Sequence, residues 1–291
     1  MPPAAETPTH RHQDFISDSA RWQAITARDD DIIVTTPPKS GTTWVQGILA
    51  LLLSGDPKVD ANVSVNSPWV DMAFRPLEEL LSNIETQVKR RHLKSHSPLN
   101  CLPYWQDVRY ITVYRHPIDV HFSFRSHENN IQVDIEKTSV QGTARESFHR
   151  FLDVEEGHVT LTSVVDHYNS SMNRGDRSNL LQLHYRDMQR DLAAVFAMIA
   201  AHIGVQHPPH VMDSLVDAAR FEKMRANADR FVPSAGQGFW KSDTGFFNNA
   251  SSNKWEGVLN AEDLAAYDAK ISQLLTPSDR HWLEWGDGPA G

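Results

Sequence analysis

Short apolar runs, each followed by a helix-like stretch, are the main feature of the hydrophobic pattern along this chain. Residues 31–36, D-I-I-V-T-T, form a β-branched run that ends before two prolines, as is typical of a buried strand. Residues 109–115 (R-Y-I-T-V-Y-R) and residues 180–185 (L-L-Q-L-H-Y) show the same pattern. We therefore predict three strands at these positions.

A helix-like stretch follows each predicted strand. Residues 42–54 are largely apolar, which predicts a buried helix that stops at the sequence S-G-D-P. Pro117 suits the first turn of a helix over 117–127, and Gly204 suits the end of a helix over 186–204. Such strand–helix units predict an α/β protein with a P-loop-like three-layer fold, in which helices flank a central parallel sheet.

The remaining parts of the chain have weaker patterns. Residues 1–14 are polar and rich in proline, without the apolar core of a signal peptide, so we expect a disordered tail. Residues 15–291 are expected to form a single domain, because their length suits one large core. Residues 129–160 combine weak periodicity with many charges, which suits either a cap or lid or a long connection.

Composition narrows the classes of function. Hydrophobic residues make up 40% of the chain and charged residues 22%, as in ordinary globular proteins, and no run is long enough for a membrane span. Cys101 is the only cysteine, so no internal disulfide can form and we expect a cytoplasmic location. The net charge of −9 argues against general nucleic-acid binding, so an anionic ligand would need a local cluster of cations.

The sequence T-T-P-P-K-S-G-T-T-W at residues 35–44 joins the first predicted strand to the first predicted helix. The backbone N–H groups of residues 40–43 would face an anion at the positive end of the helix dipole, and Lys39 would add a cation. A Walker loop has a glycine directly before its lysine, and the second strand of an NTPase ends in aspartate where this chain has Arg115. These differences disfavour a magnesium-dependent kinase or NTPase, and they favour an anion held by cations alone.

This loop and three further blocks resemble those of cytosolic-type sulfotransferases, in the same order along the chain. P-K-S-G-T-T-W resembles the family's 5′-phosphosulfate loop, and L-K-S-H-S-P (93–98) is similar to its K-T-H segment. Y-R-H-P-I-D-V-H-F-S-F (114–124) is similar to the R-N-P-x-D-x-x-V-S block for the 3′-phosphate, and L-H-Y-R-D-M (183–188) to Y-E-D-L. S-P-W-V-D and R-P-L-E-E, within residues 67–79, look like the bacterial branch of glycolipid sulfotransferases.

The resemblance implies transfer of a sulfuryl group from 3′-phosphoadenosine 5′-phosphosulfate (PAPS) to a hydroxyl, with adenosine 3′,5′-bisphosphate (PAP) as product and no metal ion. Lys39 would stabilise charge on the leaving phosphate oxygen, Lys94 would neutralise the sulfonyl oxygens, and His96 would be the general base. The residues that the resemblance assigns to nucleotide binding are Lys39, Ser40, Gly41, Thr42, Thr43, Trp44, Arg115, Ser123, Tyr185 and Phe221.

Several of these residues also have simpler explanations. Arg115 equally suits a salt bridge to Asp119, and Ser123 suits an ordinary helix surface. The chain has 15 histidines, so His96 is singled out by its K-S-H context rather than by its residue type. The aromatic residues that would contact adenine each also suit the hydrophobic core: Trp44, Tyr185 and Phe221.

The C-terminal part of the chain departs from the family pattern. Family members usually carry F-F-R-K-G-x-x-G-x-W, in which Arg-Lys-Gly binds the 3′-phosphate, whereas this chain reads F-F-N-N-A-S-S-N-K-W. Two cations and a glycine of the family pattern are thus replaced by Asn248, Asn249 and Ala250. Asparagine donates neutral hydrogen bonds, which are about half as strong as charge-assisted ones. Three alternatives remain. The protein binds PAPS more weakly, or through other cations such as Lys241 or Lys254; it accepts a different sulfated or phosphorylated donor; or it performs other chemistry or only binds a ligand.

The acceptor pocket is expected to be built from residues 67–80, 125–160 and 229–247. Large aromatic side chains there suit an apolar or aromatic alcohol, a phenol or a lipid-linked sugar, so we expect a small-molecule partner. The sequence also leaves a homodimer open, although no stretch resembles the family's dimerisation motif. The aromatic residues proposed for the pocket, each of which also suits the core, are Trp69, Phe74, Phe122, Phe148, Phe231, Phe239, Trp240, Phe246 and Phe247.

Overall fold

The computed structural model describes residues 5–287 apart from residues 61, 136, 138, 155–156, 176–177 and 248–251. The strands of this described part are β1 (Ala5–Glu6), β2 (Ile32–Thr35), β3 (His92–Ser95), β4 (Tyr104–Trp105), β5 (Arg109–Tyr114) and β6 (Leu180–His184). Its α-helices are α1 (Thr42–Ser54), α2 (Val63–Asn66), α3 (Leu77–Glu85), α4 (Pro117–Asn130), α5 (Ala144–Asp153), α6 (Leu161–Met172), α7 (Tyr185–Arg190), α8 (Leu192–Ile203), α9 (Pro209–Ala218), α10 (Phe221–Ala226), α11 (Ala228–Phe231), α12 (Asp243–Phe246), α13 (Ala261–Leu274) and α14 (Pro277–Trp285). Short 3-10 helices lie at Ser19–Ala24 and Leu99–Cys101.

Four strands form a parallel sheet in the order β3-β2-β5-β6. The register places Ile32 of β2 opposite both His92 of β3 and Arg109 of β5. Every residue of β2 is buried, because helices and loops cover both faces of the sheet. The predicted α/β fold, with a central parallel sheet flanked by helices, is therefore confirmed, as are the three predicted strands. The hydrophobic pattern did not predict β3, because three of its four residues are polar.

The predicted helices are present, with one difference. α1 covers the predicted residues 42–54, and α4 begins at Pro117 as predicted. A single helix over residues 186–204 is wrong, because the chain forms α7 and α8 with a break at Asp191. The Asp191 carboxylate accepts a backbone hydrogen bond from the first turn of α8, which favours a new helix start at this point. α8 then ends at Gly204 in the left-handed conformation, as predicted.

The described part of the N-terminal segment packs against the domain, which differs from the disordered tail predicted for residues 1–14. β1 pairs in antiparallel fashion with β4, and the Arg174 guanidinium donates a 2.6 Å hydrogen bond to Glu6. The Asp14 carboxylate accepts hydrogen bonds of 2.7 Å from the backbone of Ile16 and of Ser17. Most of these contacts depend on partners far away in the sequence, which composition does not reveal.

The region over residues 129–160 is a connection that includes the helix α5. Thr143 and Glu146 form a capping box at the start of this helix. Its charged face binds α13 through a 2.7 Å ion pair between Arg145 and Asp263, and its apolar face carries Phe148 into the core. The weak sequence pattern arose because these apolar positions are interspersed with charged residues that pair with α13.

The edge of the sheet where the strands begin is held by a buried ion pair. The Arg91 guanidinium donates hydrogen bonds of 2.8 and 2.5 Å to the two carboxylate oxygens of Asp31, and neither side chain reaches solvent. Arg91 also donates to the Thr26 carbonyl, so this pair joins the residues directly before β2 and β3 to the preceding loop. Bidentate geometry of this kind is the strong form of an ion pair. Throughout the described residues, no helix combines the length and the apolar character that a membrane crossing requires.

Candidate active site

Residues from four strand ends meet at the opposite, carboxyl edge of the sheet. The Thr36 carbonyl, directly after β2, bonds the His96 ring that follows β3, with 2.8 Å between the carbonyl oxygen and Nδ1. The Arg115 guanidinium after β5 donates a 3.4 Å hydrogen bond to the Lys39 carbonyl and lies 4.2 Å from the centre of the Tyr185 ring. Parallel strands bring their carboxyl ends to one edge, which is where ligands of such sheets bind.

The loop between β2 and α1 has an unusual backbone. Lys39 has a φ of 66° and Gly41 a φ of 118°, both in the left-handed region. A Cβ atom at Gly41 would lie 3.0 Å from the Tyr185 ring, so glycine is required both by conformation and by space. The Ser40 hydroxyl is buried and has no hydrogen-bond partner among the described residues. Strained backbone and an unsatisfied buried hydroxyl together indicate a loop arranged for a ligand.

Cations converge on this loop. Burial lowers the pKa of Lys39 to about 7, and the charges of Lys254, Lys94 and Arg115 add to this effect. Burial likewise lowers the pKa of Lys94 to about 8, and burial together with Arg115 lowers that of Lys254 to about 8. Repulsion among these groups is relieved when an anion binds between them. The arrangement therefore suits an anion, and the anion site expected at Lys39 and Arg115 stays a prediction.

A fully buried carboxylate shapes the turn that carries His96. The Oδ2 atom of Asp71 accepts hydrogen bonds from the hydroxyls of Ser95 (3.0 Å) and Ser97 (2.6 Å) and from the backbone N–H groups of His96 (3.2 Å) and Ser97 (3.1 Å). Four donors to one oxygen fix the backbone of residues 95–97. Sequence reasoning did not assign Asp71, although it is the last residue of the S-P-W-V-D motif.

The same S-P-W-V-D motif also positions Lys94. The segment lies along β3, where the Lys94 backbone N–H donates to the Pro68 carbonyl (2.9 Å) and the Val70 N–H donates to the Lys94 carbonyl (3.0 Å). The Trp69 ring lies 4.1 Å from the Lys94 ammonium and contacts the His96 ring edge-on at 4.8 Å. Trp69 therefore borders two of the three proposed catalytic residues, Lys94 and His96, and its place in the acceptor pocket stays a prediction.

The hydrogen bond to Thr36 determines which nitrogen of His96 is available for chemistry. A carbonyl oxygen can only accept, so Nδ1 carries the proton and Nε2 keeps a lone pair. Burial, followed by the charge of Lys94, holds the pKa of His96 well below its usual value. The ring is thus neutral at physiological pH and can accept a proton at Nε2.

Two further histidines, which sequence reasoning missed, lie in the same region. The Lys39 ammonium donates a 3.0 Å hydrogen bond to Nδ1 of His127 on α4. His158 lies 6.4 Å from the His96 ring centre, and its Nδ1 bonds the Asp14 carboxylate at 2.8 Å. Among 15 histidines in the chain, neither has a motif that distinguishes it.

The residues assigned to the nucleotide are only partly brought together. Tyr185 contacts Trp44 edge-on at 5.5 Å, and the Trp44 indole donates to the Ala219 carbonyl at 2.8 Å, next to α10. Phe221 is the first residue of α10, and its ring contacts the Phe247 ring with 5.9 Å between the centres. Trp44 and Tyr185 belong to the hydrophobic core, so the simpler explanation holds for them, and their contact with adenine stays a prediction.

The anion loop and α4 hold the remaining predicted residues. Thr42 and Thr36 share a 2.5 Å hydrogen bond between hydroxyls that fixes the start of α1, and Thr43 lies one position on with its surface partly exposed. Ser123 is buried on α4, one turn after Asp119 and on the same face. Asp119 lies 3.9 Å from the Arg115 guanidinium, so the alternative ion pair is present and Ser123 faces the same region.

The aromatic residues proposed for the acceptor pocket divide into two groups. Trp240 and Phe246 contact the His127 ring at 4.9 and 5.6 Å, and Phe246 lies 4.7 Å from the Lys39 ammonium. Phe239 and Phe247 extend this cluster. An apolar wall therefore adjoins Lys39.

Four other residues proposed for that pocket lie elsewhere. Phe122 and Phe148 pack in the core cluster around Tyr114, and Phe231 packs in the cluster under α1. Phe74 is 71% exposed. Large aromatic residues are mostly buried for packing alone, which explains why their presence in these segments overstated the pocket.

Comparisons with known proteins agree with this geometry. The family profile described as sulfotransferase domain matches residues 29–279. A glycolipid sulfotransferase of Mycobacterium bovis is 29% identical over 307 residues, covering 94% of this chain and 94% of the relative. Sulfotransferase 2A1 of Macaca fascicularis is 26% identical over 266 residues, covering 89% of this chain and 88% of the relative.

Solved structures show the same fold. The structure of mouse sulfotransferase SULT7A1 complexed with PAP has a TM-score of 0.70 at 18% identity, covering 90% of this chain and 91% of that chain. That of retinol dehydratase in complex with retinol and PAP has a TM-score of 0.73 at 19% identity, covering 90% and 87%. Since the profile match includes the Lys39 loop, the His96 turn and the segment around Lys254, the chain belongs to the sulfotransferase family.

Proposed function

We propose that this sulfotransferase moves the sulfuryl group of PAPS to the hydroxyl of a small apolar or aromatic acceptor. The observation that carries the proposal is the group of buried cations around the left-handed loop at Lys39, where the buried Ser40 hydroxyl has no partner among the described residues. These features fit a phosphosulfate, which offers oxygen acceptors and negative charge. The structures of mouse sulfotransferase SULT7A1 and of retinol dehydratase are complexes with PAP, which supports the same nucleotide here.

The lysines act on the donor side of the reaction. Lys39 lies on the loop that would hold the 5′-phosphate, so its ammonium stabilises the charge that develops on the bridging oxygen as the sulfur–oxygen bond breaks. Lys94 lies between this loop and His96 and neutralises charge on the sulfonyl oxygens. Both ammonium groups are partly desolvated, which makes their electrostatic effect larger than it would be in water.

His96 acts on the acceptor side. Its Nε2 lone pair accepts the hydroxyl proton while the hydroxyl oxygen attacks sulfur. The charge of Lys94 lowers the pKa of the ring, and bound negative charge would offset that effect. His96 thus becomes a stronger base once the donor is bound, which links the chemical step to the presence of the donor.

The acceptor is proposed to lie between Trp69 and the cluster of Trp240 and Phe246. These side chains flank His96 and Lys39 and present apolar surface to a bound molecule. The similar proteins include a glycolipid sulfotransferase and a retinol dehydratase in complex with retinol or androsterone. Glycolipids, retinol and androsterone each join a hydroxyl-bearing group to a large apolar body. A phenol, a long-chain alcohol and a glycolipid are therefore the first acceptors to test with PAPS.

The donor assignment is tested by calorimetry without metal, in EDTA, with PAP and with 5′-AMP as the matched control. Residues 248–250, where the family has Arg-Lys-Gly, lie outside the described residues, so binding must be measured directly. We expect PAP to bind at least about tenfold more tightly than 5′-AMP, because its additional phosphate makes charge-assisted hydrogen bonds. Equal affinity for the two nucleotides, or binding of neither, would overturn the assignment to PAPS.

PAP binding is also expected to depend on pH. The pKa values of Lys39 and Lys94 are lowered to about 7 and about 8, and an anion favours their protonated forms. Binding at pH 8 should therefore take up protons, and affinity should fall as pH rises from 7 to 9. Phosphate is fully ionised above pH 7, so the protein must be the source of this change. Titrations at pH 8 in buffers of different ionisation enthalpy measure the uptake, and a binding enthalpy independent of buffer would contradict it.

A further inference from the structure

A second group of cations, Lys254 and Arg186, lies beside Arg115, and the charge of Lys254 also reaches Lys39. The turn of residues 252–255 packs against the start of α4, where its Lys254 N–H donates a 3.3 Å hydrogen bond to the Asp119 carboxylate. Asn253 in this turn has a φ of 60° and accepts a 2.7 Å hydrogen bond from the Arg186 guanidinium. One short segment therefore positions both Lys254 and Arg186 next to Asp119.

The charges in this group do not balance. The Asp119 carboxylate interacts electrostatically with three cations, Arg115, Arg186 and Lys254. Burial raises the pKa of Asp119 despite these cations, so its negative charge is itself disfavoured. Burial, followed by the charges of Arg190 and Arg115, lowers the pKa of Arg186. Such a group is stabilised by an additional anion.

The Arg186 guanidinium can still bind an additional anion. One of its terminal nitrogens donates to Asn253 and its guanidinium lies 4.2 Å from the Trp285 ring centre, but its Nε is buried without a hydrogen-bond partner among the described residues. The contact between the guanidinium and the Trp285 ring fixes the orientation of the guanidinium. A fork-shaped donor held in this way suits the bidentate recognition of a phosphate.

We infer that Arg186 and Lys254, together with Arg115, bind the 3′-phosphate of the nucleotide donor. The inference rests on the proposed function, which places the 5′-phosphate on the loop at Lys39. Arg115 bonds the carbonyl of that loop and also faces the second cation group, so it lies between the two phosphate positions. Tyr185, whose ring lies under Arg115, directly precedes Arg186 in the chain.

The sequence supports an exchange of cations between two segments. This chain has Arg186 where the resembled Y-E-D-L block has glutamate, so a negative charge is replaced by a positive one. It also has Asn248 and Asn249 where the resembled pattern has arginine and lysine. The positive charge absent from the second segment is thus present in the first, on a residue that the structure places beside Arg115.

The test is calorimetry with PAP and 5′-AMP on the variants Arg186→Gln and Lys254→Gln. We expect each to weaken PAP binding by about tenfold while 5′-AMP binding changes by less than about twofold, since a lost charge-assisted bond acts only on the additional phosphate. Arg186→Lys should keep part of the preference for PAP. The matched control is Arg190→Gln, because Arg190 is on the same helix and pairs with Asp187 on the partly exposed side.

The outcomes separate this inference from the proposed function. If the unchanged protein does not prefer PAP over 5′-AMP, the proposed function fails. If it does prefer PAP and Arg186→Gln keeps that preference in full, the function stands and the inference is overturned. An equal loss of affinity for both nucleotides in Arg186→Gln would assign Arg186 a structural role, and this result would also overturn the inference. Melting temperatures of all variants show whether each one is folded under the conditions of the titration.

Discussion

Replacing Lys39 by alanine is expected to lower kcat by about 10³-fold, the size of effect seen when one group that stabilises developing charge is removed. Lys39 follows β2 on the anion loop, where its backbone is left-handed. PAP binding should weaken less than catalysis, because Lys94 and Arg115 remain. The measurement is the rate of sulfated product formed from PAPS with whichever acceptor is turned over fastest.

The stability of this variant gives an independent check. Lys39 has a pKa of about 7 in the folded protein against 10.5 for an ordinary lysine, so its charge disfavours the folded state below pH 10 and does so fully below pH 7. Lys39→Ala should therefore melt at the same temperature as the unchanged protein or higher at pH 7. Lys89→Ala, at an exposed position before β3, is the matched control and should leave kcat unchanged. If Lys39→Ala were inactive and also unfolded, or fully active, the role given to Lys39 would be wrong.

Replacing His96 by asparagine is expected to lower kcat by about 10²- to 10⁴-fold, the usual contribution of a general base. Asparagine keeps a polar side chain next to the Thr36 carbonyl but has no basic nitrogen in place of Nε2. The affinity for PAP should change by less than about twofold, because the ring faces the acceptor side rather than the phosphate loop. Calorimetry and steady-state kinetics on the same preparation measure both quantities.

The pH profile of the unchanged enzyme tests the same assignment. The pKa of His96 lies well below 6.5, so the base is already neutral in mild acid, while Lys39 loses its charge near pH 7. We expect kcat/KM to be greatest on the acidic side of neutrality and to fall as the pH rises through 7 to 8. His158 is a second imidazole near His96, with 6.4 Å between the ring centres. Loss of activity in His158→Gln but not in His96→Asn would assign the base to His158 instead.

The sequence predicted those parts of the fold and site that depend on local pattern. β2, β5 and β6 are short runs rich in apolar residues, and the position of Lys39 and Arg115 at strand ends follows from the parallel topology alone. β3 escaped prediction because its burial results from neighbours on both sides and not from its own polar sequence. Asp71, His127 and His158 act through contacts between distant segments, so no local pattern identifies them.

The aromatic residues illustrate the same limit. Phe246 and Phe148 both lie in segments rich in large apolar side chains, yet one borders the Lys39 ammonium and the other fills the core beside Tyr114. Residue type establishes that each will be removed from water, but not which surface covers it. Only the packing of α4 and α12 around the strand ends separates the two.

The buried pair of Asp31 and Arg91 has a consequence for how this protein can diverge. It joins the residues that begin β2 and β3, whereas Lys39 and His96 follow the other ends of the same two strands, roughly 15 Å away for a strand of this length. Substitutions in the loops that contact the acceptor leave this pair untouched. New acceptor preferences can therefore arise, by natural selection or by directed evolution, while the ion pair of Asp31 and Arg91 continues to stabilise the fold at the opposite edge of the sheet.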